Sequence, residues 1–525
     1  MGAVAVLALS AGLPAAHALT TDEAYAISAG DNDARIAALQ KLAPKGDPAL
    51  TPLLQALMND AVKVSGQRVY IIQDDGQAVD AASGQAATLP ADAEDVVNNT
   101  RMSGEIEAAL AAGKLASPDA AVRAEAIASL AAAADESHLA VIDKALAAEQ
   151  DPELRKKLKA VRTKALLSAA DPARRIEAAK ALGDDASPDA RALLMERLQD
   201  GAESDPAVKG ALTAALDQVN RTLAWGEHAG VVFTGISLGS ILLLAALGLA
   251  ITYGLMGVIN MAHGELMMIG AYATFVVQNL FRHYLPGLFD WYLLLAVPAS
   301  FLAAAAMGAV LERTVFRFLY GRPLETLLAS WGVSLVLMQL VRSVFGAQNV
   351  QVENPGWMSG GLDVLSNLTL PYNRLAIIGF AAAVLVGMSL LIARTRMGLF
   401  VRSVTQNRPM ASCMGVNTAR VDTLAFSLGA GIAGLAGCAL SQIGNVGPDL
   451  GQSYIVDSFM VVVLGGVGQI AGTVYAALGL GLINKFLEGW AGAVLAKIMV
   501  LVIVVVFIQK RPQGLFAMKG RSAEA

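Results

Sequence analysis

From Gly230 onward the chain is a series of apolar runs, separated by glycine-rich joints and by short segments that carry arginine. A helix needs about 20 mostly apolar residues to cross a bilayer, and a soluble core has no use for so many such runs in series. Segments near 231–253, 264–281, 291–312, 324–345, 373–393, 421–441, 470–488 and 493–509 reach that length. A shorter run, Asp457 to Val467, is too brief to cross unaided at about 1.5 Å per residue, and reads as re-entrant or as half of a broken helix. The fold class is all-α, with a polytopic membrane domain of about 8–9 spanning or half-spanning helices over 229–518 and a cytoplasmic tail at 519–525.

The residues before this domain differ in character. Positions 1–228 hold 22 Lys+Arg against 33 Asp+Glu, and the remainder 17 against 11. An acidic first half without a basic stripe excludes nucleic acid as a partner. At the start, Ala3 to Leu13 is apolar and Ala16-His17-Ala18 satisfies the small-x-small rule, so 1–18 reads as a signal peptide and 19–228 as an exported domain. Both cysteines, Cys413 and Cys438, fall in the membrane half, which leaves the exported domain to be held by packing alone.

Helical periodicity is plain in that domain. Ala34, Ile36, Leu39 and Leu42, then Leu50, Leu53, Leu54 and Leu57, make two short amphipathic helices joined at Gly46-Asp47-Pro48. Ser117-Pro118 and Asp151-Pro152 stand 34 residues apart, as do Asp171-Pro172 and Asp205-Pro206, each placing a capping residue before a first-turn proline. That spacing predicts stacked helix pairs of the HEAT or TPR sort, which present surfaces to other proteins. A β insertion is expected over Val62 to Thr88, near 62–88, with Arg68 to Ile72 as a strand and Asp75-Gly76 as a hairpin turn. His138 stands alone in sequence, and no catalytic constellation accompanies it.

Short cytoplasmic loops collect Lys and Arg. Arg313, Arg317 and Arg322 share one segment; Arg394, Arg396, Arg402, Arg408 and Arg420 another; Lys510, Arg511, Lys519 and Arg521 the tail. All three lie on one side only if 457–467 counts as a leg. The N-terminal domain is then outside and the C-terminus cytoplasmic, the side that a signal peptide also implies.

Two joints resemble one another: Gly257-Val258-Ile259-Asn260-Met261-Ala262-His263-Gly264, followed by Glu265, and Gly465-Gly466-Val467-Gly468-Gln469-Ile470-Ala471-Gly472. Glycine-interrupted segments at matching places in two halves point to a translocation pathway, since unwound backbone at membrane depth needs protein or water around it; close helix packing through small residues is the alternative. Candidate pathway residues are Gly257, Asn260, His263, Gly264, Glu265, Gln442, Gly465, Gly466, Gly468, Gln469 and Gly472. Asn445 and Asn484 lie near these joints, whereas Asp457, Lys485 and Glu488 sit near segment ends and read as interfacial. Without the Lys-Ser/Thr of a phosphate-binding loop, the 466–473 stretch is not a nucleotide site. No Cys/His spacing suits a metal, and no cofactor is implied.

Four motifs in order carry a resemblance: Asn260-Met261-Ala262-His263-Gly264-Glu265; Arg396-Met397-Gly398-Leu399 leading to Arg402 and Gln406; Val463-Leu464-Gly465-Gly466-Val467-Gly468; and Arg511-Pro512-Gln513-Gly514-Leu515-Phe516. Together they resemble the membrane permease subunits of branched-chain amino acid ABC importers. Val404 to Arg408, Ser441 to Gln452 and Phe507 to Pro512, with the exported extension, look like the urea-importing branch. The resemblance implies a bacterial inner-membrane subunit working with a second homologous permease, two ATP-binding subunits and a periplasmic solute-binding protein, and no catalysis of its own. By that analogy Gly398 to Met410 is the coupling helix, with Arg402, Gln406 and Asn407 toward the ATPase; Pro409 is unexpected there. Branched-chain amino acids or short amides are the alternative solutes. A secondary transporter or channel, or a membrane-tethered scaffold, would explain the spans without requiring the coupling segment.

Overall fold

The computed structural model describes residues 19–43, 49–73, 76–132, 134–199, 202–257 and 259–516. The signal-peptide reading of 1–18, the Gly46-Asp47-Pro48 turn, Asp75, Val258 and the tail at 519–525 lie outside the described residues. The chain divides into two compact units after Leu223.

In the first unit, helices α1 (Thr21–Ser28), α2 (Asn32–Leu42) and α3 (Leu50–Met58) lead into strands β1 (Val62–Ser65), β2 (Arg68–Ile72), β3 (Ala78–Asp80), β4 (Ala86–Ala87) and β5 (Glu94–Asp95). The strands form an antiparallel sheet in the order β4-β3-β2-β1-β5. The sheet outruns the expected insertion because β5 returns to pair Asp95 with Lys63, a contact between short polar stretches that hydrophobic alternation cannot signal. Then come α4 (Thr100–Lys114), α5 (Ala120–Ala132), α6 (Leu139–Ala148), α7 (Pro152–Leu167), α8 (Pro172–Asp185), α9 (Pro188–Arg197) and α10 (Pro206–Met256).

The repeat is real, but its unit is longer than the 34-residue spacing suggests. Arg123 grips Glu149 through Nε at 2.8 Å and a terminal nitrogen at 3.0 Å, and its other nitrogen donates to the Ser117 and Pro118 carbonyls. Arg175 grips Glu203 in the same way, at 2.9 and 3.1 Å, and donates to the Ala169 and Ala170 carbonyls. Each glutamate also accepts two backbone amides, Gln150 and Asp151 in one case and Ser204 and Asp205 in the other. The carboxylates of Asp151 and Asp205 then cap the helices that follow, a bond typically contributing about 1 kcal/mol. Two three-helix units therefore repeat, α5–α7 and α8 through the start of α10. The 34-residue spacing relates caps within a unit. Pro118 is not in a first turn, since α5 begins at Ala120 with Asp119 accepting the Ala121 amide. His138, solitary in sequence, lies between Asp135 at 2.9 Å and Glu105 at 3.7 Å.

The second unit continues with α11 (His263–Tyr284), α12 (Tyr292–Thr314), α13 (Pro323–Phe345), the strands β6 (Gly361–Leu365) and β7 (Leu368–Pro371), α14 (Tyr372–Arg394), α15 (Arg396–Gln406), α16 (Arg408–Cys413), α17 (Thr418–Ser441), α18 (Leu450–Gly465), α19 (Ile470–Ala491) and α20 (Ala493–Lys510). Among the described residues, seven helices are long and apolar enough to cross a membrane. The chain is thus a multi-pass membrane protein, mostly helical. The first unit's sheet meets the expected β insertion, whereas the β6–β7 hairpin departs from an all-α membrane domain, because Leu362 to Leu365 alternates over too few residues to register as a strand.

Packing in this unit turns on backbone proximity. A Cβ on Gly264 would lie 2.5 Å from the Gly451 carbonyl oxygen, one on Gly434 at 2.5 Å from that of Ser300, and one on Gly254 at 2.6 Å from the Gly468 Cα. α17 is enclosed along nearly its whole length against α11 and α12. The outward faces of α12, α13 and α20 expose Leu294, Leu302, Leu328, Val336, Val494 and Leu501, a bilayer-facing surface.

The segment expected at 457–467 is the helix α18, beginning at Leu450 and ending at Gly465. Its 16 residues span about 24 Å, short of the roughly 30 Å hydrocarbon core. With α18 counted as a leg, two described traverses separate the 313–322 segment from the 394–420 segment, and four separate the latter from Lys510 and Arg511.

The Arg123 side chain holds the Glu149 carboxyl below the usual carboxylate range, aided by the Asp151 and Gln150 amides, although burial pushes the other way. A depressed carboxyl stabilises the fold above its unfolded value, and that contribution is lost as pH falls through the folded one. In the detergent-solubilised full chain, amide exchange over 120–167 is expected to stay slow at pH 5 and to accelerate only below the ordinary glutamate range. Glu149→Gln, which lacks the charge, should exchange faster at neutral pH and lose most of that pH dependence.

Candidate functional site

α10 borders two separate cavities. Toward its C-terminal end Ala250, Ile251 and Gly254 line a cavity of about 580 Å³, together with Met388 and Ile392 of α14, Arg402, Thr405 and Gln406 of α15, and the Gly468 to Ile470 joint. Nearer its middle, Leu238 and Ile241 line another of about 520 Å³. Between them Leu242, Leu243, Ala246 and Leu247 pack with Val461, Val462, Ala477 and Leu480. Apolar packing therefore separates the two.

The 520 Å³ cavity gathers charged and amide side chains: Arg374, Lys485 and Lys497 against Asp449, Asp457 and Glu488, with the amides of Asn349, Asn445 and Asn484. Lys485 pairs with Glu488 at 2.7 Å and Lys497 with Asp457 at 3.7 Å. Three basic and three acidic side chains leave the lining without formal net charge. Asp457, Lys485 and Glu488 read as interfacial in the sequence; the structure gathers them in one wall. Asn349, Arg374, Asp449, Ser453 and Lys497 were not singled out at all. The available signal was Ser453 and Asp457 four apart on α18, directly after the polar, glycine-rich stretch Gly444 to Asp449.

None of the sequence-derived pathway residues lines that cavity. The structure places them in several separate surroundings. Gly468 and Gln469 line the 580 Å³ cavity, beside Arg402 and Gln406. Gly465 and Gly472 meet backbone to backbone, and Gly257 ends α10 with φ +63°. Asn260, His263, Gly264 and Glu265 open α11 inside the packed core. There Asn260 accepts the Ala262 amide, a His263 ring nitrogen lies 2.9 Å from the Ala245 carbonyl, and Ser334 donates to Glu265 at 2.9 Å. Gln442 belongs to the opposite end, where its Oε1 is 3.1 Å from the Tyr292 hydroxyl and its amide donates to Ser441.

Gly466 has a particular task. Its φ is +99°, and a Cβ there would run into the Phe516 carbonyl. The segment after α20 folds back onto the joint: the Leu515 amide donates to the Leu464 carbonyl at 2.8 Å, Phe516 reaches that of Gly465 at 3.3 Å, and the Phe516 ring stacks on Tyr475 at 5.8 Å. Two of the recognised motifs, 463–468 and 511–516, are thus halves of one contact.

The coupling segment also differs from expectation. Gly398 to Met410 is not one helix: α15 stops at Gln406, Asn407 turns extended, and α16 starts at Arg408. The Asn407 side chain accepts the Met410 amide, capping α16. Pro409 then occupies the first turn of a new helix, where the missing amide costs nothing. Arg402 hydrogen-bonds the Gly398 carbonyl.

Apolar helices enclosing two offset cavities, with a short amphipathic helix between a glycine joint and the basic end, define a membrane transport subunit. The chain belongs to the family of branched-chain amino acid transport system permease components, whose family model matches residues 231–508. It is 30% identical over 292 residues to the high-affinity branched-chain amino acid permease protein LivH of Salmonella typhimurium, covering 54% of this chain and 94% of that one. It is 28% identical over 285 residues to BraD of Pseudomonas aeruginosa, covering 54% and 93%, and 28% identical over 308 residues to LivM of Escherichia coli, covering 54% and 69%. No solved structure matches. Members of this family are transport components of ABC systems and not enzymes.

Replacing Gly466 by alanine forces a side chain into a positive-φ position against the Phe516 carbonyl, a strain of about 1–3 kcal/mol. The expected outcome is release of the C-terminal segment: the Leu515 and Phe516 amides should exchange about tenfold faster or more, measured by hydrogen exchange in detergent. Gly479→Ala, in open space on α19, should leave them unchanged.

Proposed function

We propose that this protein is the membrane-spanning subunit of an ATP-driven importer for urea in a bacterial inner membrane. The observation that carries the transport reading is the shared cavity of α15 and the Gly468–Gln469 joint. A movement of the amphipathic helix α15, on this reading, reshapes the cavity that it shares with the glycine joint, whose Gly468 packs on Gly254 of α10. In this reading α15 and α16 receive an ATPase subunit on the cytoplasmic side, where the three basic segments gather, and the first unit is exported. The 520 Å³ cavity admits solute from outside and the 580 Å³ cavity releases it inside, each opening as ATP binding shifts the population of two states. A second homologous permease, two ATP-binding subunits and a solute-binding protein complete the assembly.

Urea as the solute is supported by the resemblance of Val404 to Arg408, Ser441 to Gln452 and Phe507 to Pro512 to the urea branch. The outer cavity suits it: amides offer donors and acceptors, and internally paired charges hold a neutral dipole without selecting an ion. A second reading, import of branched-chain amino acids, is favoured by the relatives, which are branched-chain amino acid permeases, and by Leu238, Ile241, Leu440, Ile443 and Leu450 in the same lining. Arg374 and Asp449 would then meet the carboxylate and ammonium of a zwitterion.

Uptake of labelled urea at micromolar concentration, in cells retaining the companion subunits, tests this. Deletion of the chain should abolish ATP-dependent urea uptake, and excess leucine should not compete. Persistence of urea uptake alongside loss of leucine uptake would move the solute to the second reading. In the intact system Arg402→Glu should reduce solute-stimulated ATP hydrolysis about tenfold or more; normal coupled hydrolysis would remove α15 from the ATPase interface.

A further inference from the structure

The covalent route from α16 to the core is an elbow. Residues 414–417 join α16 to α17, with Gly415 at φ +84°, and a joint of that kind passes little direction by itself. A side-chain network spans it. Arg408, on the first turn of α16, pairs through both terminal nitrogens with Asp422 on α17, whose side chain is only 4% exposed. The same guanidinium lies over the Tyr320 ring, 5.1 Å from its centroid. Tyr320 donates its hydroxyl to Glu312 Oε1 at 2.9 Å, and Thr423 lies 2.6 Å from Glu312 Oε2.

Four elements are tied in this way: α16 by Arg408, α17 by Asp422 and Thr423, the 315–322 link by Tyr320, and α12 by Glu312. Glu312 is 1% exposed and is met on both oxygens by hydroxyl groups. Breaking any member leaves a buried carboxylate short of a partner, which is costly. Beyond the network, α12 and α17 are packed by close approach: Gly434 sits on the Ser300 carbonyl, and Phe316, just after α12, has its ring 5.1 Å from that of Phe426.

We propose that Arg408, Asp422, Tyr320 and Glu312 form a brace that transmits movement of the α15–α16 segment to the α12–α17 pair. They are positioning residues for coupled transport, outside the solute route, since none of them lines either cavity. The proposal rests on the reading of α15 and α16 as the ATPase-docking segment. It places the direction of the stroke in side chains bridging an elbow, with the polypeptide link acting only as a tether.

The test uses the full assembly, with permeases, ATPases and binding protein, reconstituted in liposomes, measuring both ATP hydrolysis and solute taken up per ATP. Arg408→Gln should assemble and hydrolyse ATP but deliver about tenfold less solute per ATP. The exchange Arg408→Asp with Asp422→Arg should recover at least about half of the loss, which a merely destabilised loop would not do. Solute per ATP within about twofold of the unaltered transporter in Arg408→Gln overturns the brace. If Arg408→Gln fails to assemble, Tyr320→Phe decides: it keeps the ring against Arg408 and removes only the hydroxyl on Glu312, and an unchanged ratio overturns the brace. Arg402→Glu is the parallel control. Loss of stimulated hydrolysis in that variant together with an unaffected Arg408→Gln leaves the docking reading standing and removes the brace alone, whereas an unaffected Arg402→Glu removes the docking reading itself.

Discussion

Everything in the membrane unit depends on how closely its helices approach. Lipid offers apolar side chains no reason to prefer a neighbouring helix, so association there rests on van der Waals contact and hydrogen bonds. Glycines supply the contact: Gly264 against Gly451, Gly254 against Gly468, Gly434 against Ser300. At each, one added carbon would meet backbone, which cannot rotate aside as a side chain does. The same contacts set where cavities remain. Where α10 is pressed against its neighbours, between Leu242 and Leu247, there is no space; above and below that stretch there is.

Close backbone approach also accounts for the division of labour among polar groups. At the core-facing start of α11, Asn260 accepts the Ala262 amide, while His263 and Glu265 reach the Ala245 carbonyl of α10 and the Ser334 hydroxyl of α13. The 520 Å³ cavity instead collects ion pairs, Lys485 with Glu488 and Lys497 with Asp457. Polar residues that look alike in hydropathy thus do different things, some joining packed helices and others lining a cavity.

Much of this was legible in the sequence. Apolar runs gave α11, α12, α13, α14, α17, α19 and α20 to within a few residues, because a run of about 20 residues admits few other structures, whereas α10 begins at Pro206, well before its apolar run. The two glycine joints were visible; in the structure Gly468 of the second packs on Gly254 of α10, three residues before the first, while Gly264 of the first packs on Gly451. What the sequence hid depends on long-range pairing. Gly466 reads as a pathway glycine, yet it accommodates Phe516, two helices later. The polar wall from Arg374 to Lys497 is assembled from α14, α18, α19 and α20, and no single segment announces it. In the first unit, proline-capped helices were plain, but their period was misjudged because the feature that defines it, an arginine clasping a glutamate from the next connection, is a contact between residues that look like ordinary surface charge.

The fold-back of the chain onto Gly465 and Gly466 has a consequence for biogenesis. The α18–α19 joint leaves the ribosome before α20 and before the segment whose amides satisfy the Leu464 and Gly465 carbonyls. Until those residues emerge, the Leu464 and Gly465 carbonyls lack these two donors. Insertion of the helices and sealing of the joint are therefore separate events in time, and the subunit is not in its finished form when its last helix enters the bilayer.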